Sequence, residues 1–477
     1  MAHLINRLQM EVQCADEAQA FDLRHNFGVT LQEQMIEVID VVCSQYVSEE
    51  EWLRIDKLEI NIGHFNQLAF DENFAAVFKY QFEKELKGKL SHLSPEQKKA
   101  SRQLSRIELL QYFLQKGTLP WWAAESSIDL DEISADLLAH QPAVLSYFFY
   151  QHRFAKNVWK RIALQLNKAT KAAIINLVEE LQQAKVTLSL WLQHLLSLIK
   201  NKTISQPAFD ESKIDDVILY HTPLIFQSPE NKMVLWKIIG ENIEVISPEN
   251  KTWMLQLMQD NETMFLNSEK AVINDNKAKQ SGTNKALNEK QIRDTLIDEL
   301  LSQPPSEENE EAEKYFVKGA GIVLLALFLK PFFTNLQLLH NGEWKDKDAQ
   351  YKAIHLLKYL STGRQKIREY DLTLEKVICG VAIEEPIPIE ITLSEAEITE
   401  AESLLSSVIE HWKALKNTSV NGLREAFLKR DGLLKKRENN WLLQVERKTL
   451  DVLIDSIPWG YSTITFSWNA YFLFVEW

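Results

Sequence analysis

At 477 residues the chain is long enough for roughly two to four domains, and 45% hydrophobic with 25% charged residues is the make-up of an ordinary globular protein. A formal charge of −14 argues against a nucleic-acid partner, because phosphate binding needs clustered Lys and Arg to release counterions. The three cysteines, Cys14, Cys43 and Cys379, form no CxxC pair and no even framework, which suits a reducing compartment.

The first residues lack the apolar stretch and cleavage site of a secretory signal. The most apolar run, Ala320 to Leu329, is about half the ~20 residues a membrane span needs and is interrupted by Lys330-Pro331. It reads as a buried core helix, so a soluble chain with no membrane span, made in the cytoplasm, is expected.

In chain order, Leu8, Met10, Val12 and Cys14 alternate with polar residues and predict a strand. A helix follows from Ala15 to about Tyr46, with Phe21, Leu31, Met35, Ile36, Ile39 and Val42 as its apolar stripe. Leu58, Ile60 and Ile62 alternate again up to Gly63, and a helix over 71–86 carries Phe74, Val77, Phe78 and Phe82. Strand, helix, strand, helix suggests a small α+β or βαβ unit, taken as an N-terminal α+β domain over 1–100.

Residues 101–266 read as a helical middle region. Ser105 to Lys116 is amphipathic, Gly117 stops it in the left-handed region, and Pro120 fixes the exit ahead of Trp121 and Trp122. For that tryptophan pair, packing in a core or interface is favoured over a stacking platform for a ligand. Ser94-Pro95-Glu96-Gln97, Ser228-Pro229-Glu230-Asn231 and Ser247-Pro248-Glu249-Asn250 each look like a helix start. The last two precede Trp236 and Trp253 in similar apolar contexts, but two copies do not make a solenoid.

Composition shifts over 267–314, where polar residues and the acidic run Pro304 to Glu313 suggest a linker or solvated insertion. The remainder, 315–477, reads as a C-terminal α+β domain. It has helices over 346–360 and from Ser394, the latter with the stripe Leu404, Leu405, Val408, Ile409 and Trp412. Asn421 to Lys429 is a further helix, stopped by turn chemistry at Asp431-Gly432. Trp441, Leu443 and Val445 then alternate as a strand, and a short helix spans Leu450 to Ile457 ahead of Pro458. Ile464, Phe466 and Trp468 share one face of the next run, followed by Leu473, Val475 and Trp477, giving a short antiparallel sheet at a well-folded end. The fold class is therefore mainly α with small α+β units at both ends.

Chemistry-bearing patterns are scarce. Gly319-Ala320-Gly321 lacks the third glycine of a dinucleotide fingerprint, and Ser361 to Lys366 lacks the first glycine and the Gly-Lys-Ser/Thr end of a P-loop. None of the eleven histidines stands in HExxH or beside a cysteine pair. Cys379 sits in an apolar setting that favours an inert packed thiol. Catalytic, cofactor-binding and metal residues are expected to be absent. Trp121, Trp122, Trp441, Arg447, Trp459 and Trp477 remain as candidates for interaction or packing, with Arg447 and Glu446 either interface ion-pair formers or members of a solvated strand face.

Several segments resemble one family. HLIN at 3–6, RIDKLEINIG at 54–63, LLQYFLQKGTLPWWA at 109–123, GAGIVLLALFLKPFF at 319–333, AIHLLKYLSTG at 353–363 and VICGVAIEEPIP at 377–388 are similar to tape measure proteins of contractile injection systems, the phage-tail-like particles bacteria use to puncture cells. So are EHWKALKNTSV at 410–420, GLREAFL at 422–428, WLLQVERK at 441–448, DVLIDSIPWG at 451–460 and FVEW at 474–477. The resemblance covers about half the chain, in the family's order, and is nearly continuous from Gly319.

It implies a non-enzymatic assembly component that sets inner tube and sheath length. The implied partners are the inner tube protein, the baseplate or spike hub and the tube cap, with self-association inside the tube left open. The implied location is the cytoplasm during assembly and the tube lumen afterwards. A globular adaptor or effector-loading chaperone of the same particle is the alternative. A single helix of the ~200 residues between the end domains would span roughly 300 Å. Pro120, Pro142, Pro207, Pro223, Pro229, Pro248, Pro304 and Pro305 exclude that unbroken rod.

Overall fold

The computed structural model describes residues 5, 8–11, 30–46, 55, 57–63, 67–91, 95–123, 128–200, 211–228, 232–248, 251–267, 313–415 and 417–477. The chain divides into two compact units, one of residues 1–111 with 119–129 and one of residues 112–118 with 130–477.

The first unit is organised by phenylalanines at helical spacing. Helices α1 (Thr30–Tyr46) and α2 (Gln67–Ser91) pack together, burying Met35, Ile39 and Val42 against Phe74, Phe78, Phe82 and Leu86. Phe74, Phe78 and Phe82 stack successively at 5.9 and 5.8 Å, as the i, i+4 spacing places them. Ile36, expected in the stripe, is 53% exposed.

The stretch expected as the second strand keeps its period of two. Leu58, Ile60 and Ile62 pack against this core while Lys57, Glu59 and Asn61 face out, although residues 57–63 enter no strand ladder. Residues 8–11 are likewise irregular. Of the predicted first strand Val12 and Cys14, and of the first helix residues 15–29, lie outside the described residues. Helix α3 (Pro95–Lys116) starts at its predicted proline and ends at Gly117.

The second unit begins with short helices: α4 (Leu130–His140), α5 (Pro142–Gln151), α6 (Lys156–Gln165), α7 (Lys168–Leu177), α8 (Glu179–Lys200), α9 (Glu211–Gln227), α10 (Lys232–Ile246) and α11 (Lys251–Asn267). Helices α10 and α11 start just after the predicted Ser-Pro-Glu-Asn signals. Their tryptophans are not equivalent, however: Trp236 is buried against Trp191 and Phe265, whereas Trp253 is half exposed. Pro223 lies inside α9, where the Thr222 hydroxyl donates to the Ile218 carbonyl one turn back. Of the polar 267–314 stretch, residues 268–312 lie outside the described residues.

The rest of the unit comprises β1 (Lys314–Lys318), α12 (Ala326–Asn335), the ribbon β2 (Leu339–His340) and β3 (Glu343–Trp344), α13 (Lys347–Thr362), α14 (Thr373–Ile378), α15 (Glu395–His411) and α16 (Val420–Leu423). It closes with β4 (Asp431–Arg437), β5 (Asn440–Val445), β6 (Thr463–Ile464) and β7 (Leu473–Glu476).

The sheet corrects the expectation of an antiparallel one. Its order is β1-β4-β5-β7-β6, and β5 pairs with β7 in parallel, Trp441 opposite Leu473 and Leu443 opposite Val475. A parallel neighbour needs a long crossover, and the 3₁₀ turn Thr449–Ser456 with edge strand β6 supplies it. Strands β1 and β4 have no counterpart in the sequence reading.

The apolar run at 319–333 is buried as predicted but split: Ala320–Leu325 is a 3₁₀ turn, then α12 begins. Gly321 explains the tight turn, since a Cβ there would stand 1.8 Å from the Phe427 carbonyl oxygen. The Gly319 and Ala320 N–H groups both donate to the Arg430 carbonyl. The Gly-Ala-Gly motif thus holds backbone against the π-helical turn Arg424–Leu428.

Helix α15 starts after Ser394 as predicted, with Glu397 completing a capping box that the sequence reading did not name, and buries Leu404, Leu405 and Val408. Cys379 is buried at the end of α14, and burial pushes its thiol well above the usual range. We predict that an alkylating reagent at about pH 8 leaves Cys379 unmodified in the folded protein and modifies it after denaturation, read by peptide mass spectrometry. Modification under native conditions would mean that the C-terminal core opens.

Candidate functional site: a buried ionic junction

Helix α6 carries Val158, Ile162 and Gln165 on a buried face, and Arg161 stands among them with no exposed surface. A buried guanidinium must be paired and fully hydrogen-bonded to be tolerated. Its partner is Glu369, held bidentately with Nε to Oε2 at 3.0 Å and Nη2 to Oε1 at 3.2 Å. Nη1 donates to the Leu114 carbonyl at 2.6 Å and Nη2 also to that of Glu384 at 2.7 Å.

A second buried cation, Lys376 on α14, donates to Glu369 Oε1 at 2.7 Å and to the carbonyls of Ile383 and Glu385 at 2.8 and 2.9 Å. Burial lowers the Lys376 pKa while Glu369 opposes the shift. Two cations meet one carboxylate, and main-chain carbonyls from two segments, Leu114 and 383–385, accept further donors.

Neighbouring contacts extend the junction. Gln165 Nε2 donates to the Ile387 carbonyl at 2.6 Å, Arg368 pairs with Asp131 at 3.2 Å, and Phe113 meets Tyr370 edge to face at 6.1 Å. Gly117, at φ +76°, fits against the ion pair: a Cβ would lie 2.6 Å from both Arg161 Nη2 and Glu369 Oε1. One layer away, Lys358 bridges Glu375 and the Lys318 carbonyl, and burial raises the Glu375 pKa. Arg161, Glu369, Lys376, Lys358 and Glu375 are buried away from solvent, while the Arg368–Asp131 pair is partly exposed, so the buried ions position segments of the chain.

The candidates from the sequence fall elsewhere. Trp121 and Trp122 belong to the first unit; the Trp121 side chain lies outside the described residues and Trp122 is partly buried. Trp441 is buried on β5 beside Tyr315, and the Trp459 indole donates to the Leu324 carbonyl while stacking edge-on with Phe328.

Arg447 and Trp477 come together. Arg447 Nη2 donates to the Trp477 carbonyl oxygen at 2.6 Å, and the Trp477 indole donates to Asp451, which also accepts from the buried Arg430 at 2.7 Å. Glu446 pairs with Lys448 at the surface. Sequence reasoning missed Arg161, Glu369 and Lys376. The available signal was a charge at position 161 among the apolar Val158, Trp159 and Ile162.

Among the described residues no group of three or more His, Cys, Asp or Glu could hold a metal ion, and no helix is long and apolar enough to cross a membrane. Removing one member of a buried pair strands the other charge, so Arg161→Ala should lower the stability of the second unit by about 3–5 kcal/mol in denaturant unfolding. Gly117→Ala should cost about 1–3 kcal/mol through its positive φ and the clash with the pair. A loss below ~1 kcal/mol for Arg161→Ala would mean the pair is solvated rather than buried.

The segments that converge here, 109–123 and 377–388, are among those that resemble the tape measure family. Comparison with known families gives one match, the contractile injection system tape measure protein, over residues 2–477. Neither a curated protein nor a solved structure matches. With the match running over nearly the whole chain, the protein belongs to the contractile injection system tape measure protein family.

Proposed function

We propose that the chain sets the length of the inner tube and sheath as the particle assembles in the cytoplasm, acting in the tube lumen with the inner tube protein, the baseplate or spike hub and the tube cap as partners. The observation that carries this reading is the family match over residues 2–477. Trp441, Trp459, Trp477 and Arg447 serve it as packing residues: each is committed to contacts that hold the C-terminal part together.

One feature favours a second reading, a folded adaptor that loads cargo. Among the described residues of 130–267 the longest helix is Glu179–Lys200, about 33 Å at 1.5 Å per residue, and it is packed among its neighbours rather than running as a rod.

The two readings separate in electron micrographs of particles from cells lacking the chain. Loss of a length setter gives tubes and sheaths of scattered length, and restoring the chain restores one length. Particles of normal, uniform length without cargo would establish the adaptor and exclude the length setter.

A further inference from the structure

We propose that one corner of the outer face of the C-terminal sheet binds an acidic segment of a partner protein. Large apolar side chains of that segment rest on Phe472 and Phe474, and its carboxylates meet Lys314, Lys435 and Arg437. This goes beyond the length-setting role proposed above and does not depend on it.

The strand registers place these residues side by side. Side chains alternate along a strand, and residues paired across a ladder share a face. Tyr315, Val317, Leu434, Leu443 and Val475 belong to the apolar cluster on the inner face. Lys314, Lys435, Leu442 and Phe474, each paired with the next across β1, β4, β5 and β7, therefore form one row on the opposite face. In the next row Arg437 stands opposite Asn440, whose side-chain oxygen accepts from the Phe472 N–H at 2.9 Å. Phe472 and Phe474 stack at 6.2 Å. Both rows run from cations at one side to aromatic rings at the other, roughly 14 Å across four strands spaced by about 4.8 Å.

Neither half of this corner is explained by the fold alone. Phe472 is 47% and Phe474 39% exposed, on the side of the sheet away from its core. Lys314 stands directly opposite Lys435, and like charges so placed disfavour the ladder. Lys435 donates to Gln444 Oε1 at 2.5 Å, a neutral acceptor that leaves its charge unbalanced, and Arg437 adds a third positive charge two residues along β4. The acids of the same face lie toward its other end and are matched there. Asp431 is opposite Lys318, Glu476 accepts from Gln444 at 2.6 Å, and Glu446 pairs with Lys448. On a chain of formal charge −14, three cations beside exposed rings are complementary to carboxylates that flank apolar side chains. The segment docks on the face and not on an edge: the Lys318 carbonyl on edge strand β1 already accepts from Lys358, and β6 at the opposite edge is two residues long.

The test uses the full chain in assembled particles. Phe474 is replaced by the photoreactive benzoylphenylalanine, the particles are irradiated, and the cross-linked peptide is sequenced by mass spectrometry. The expected product joins this chain to a different protein, at a segment carrying acidic residues among large apolar ones. A cross-link to a second copy of this chain, to a segment without acidic residues, or to no protein would overturn the inference.

A second arm reverses the charge. Lys435→Glu combined with Arg437→Glu is expected to lower the cross-link yield about tenfold while thermal unfolding of the purified chain stays unchanged, and an undiminished yield would count against the cationic half of the site. A synthetic copy of the captured peptide should bind the purified chain about tenfold more weakly at ~0.5 M than at ~0.1 M salt. That measurement needs neither substitution, so it decides the matter if the double variant fails to fold or assemble, and binding indifferent to salt would overturn the proposal.

Discussion

One buried pair ties the middle region of the second unit to its C-terminal part. Arg161 and Glu369 are 208 residues apart in sequence, and their bidentate contact joins a helix of the middle region to the turn that precedes α14. Around it the chain has arranged acceptors that cannot titrate. Carbonyls of Leu114, Ile383, Glu384 and Glu385 take the hydrogen bonds that one carboxylate between two cations leaves over. These carbonyls come from the end of α3 and from the 377–388 segment, which ties two of the family-like motifs to the same ion pair.

An ionic junction and an apolar one fail differently. Apolar faces tolerate sliding, because dispersion and burial are non-directional. A forked guanidinium on a carboxylate tolerates little, because both hydrogen bonds weaken as soon as the planes tilt. Here the apolar cluster of the C-terminal part runs from Tyr315 to Val475 and is built from that part's own residues. The middle helices meet that part through Arg161, Gln165 and Asp131, side chains that recognise particular acceptors. Such a junction adds register more than raw stability, since a buried pair gains little over a well-packed apolar replacement.

What could be read from the sequence follows from whether the signal is local. The helix start at Ser394, the phenylalanine ladder of α2 and the proline start of α3 are encoded within a turn or two of chain, and each stands where the sequence places it. Ile36 shows the limit: it fits the apolar spacing of α1 as well as Met35 does, and only the orientation toward α2 decides that Met35 is buried. Strand β1 is five residues long and follows a polar stretch. Strand β4 is Asp-Gly-Leu-Leu-Lys-Lys-Arg, whose charged end hides its pairing with β5. The ionic junction was least legible, because Arg161, Glu369 and Lys376 look like solvated charges until the fold brings them together.

The prolines of the middle region illustrate how local rules and length measurement interact. Pro142 opens α5, where its missing N–H costs nothing, whereas Pro223 sits inside α9 with the Thr222 hydroxyl bonded one turn back. Pro142 begins a new helix, whereas α9 runs on past Pro223 to Gln227, contrary to the expectation that this proline breaks the rod, and the described middle region is a bundle of short helices folded back on one another. A bundle of this kind transmits position by its shape and by where it is fastened, not by contour length. It is fastened to the C-terminal part at α6, through Arg161 to Glu369 and Gln165 to the Ile387 carbonyl.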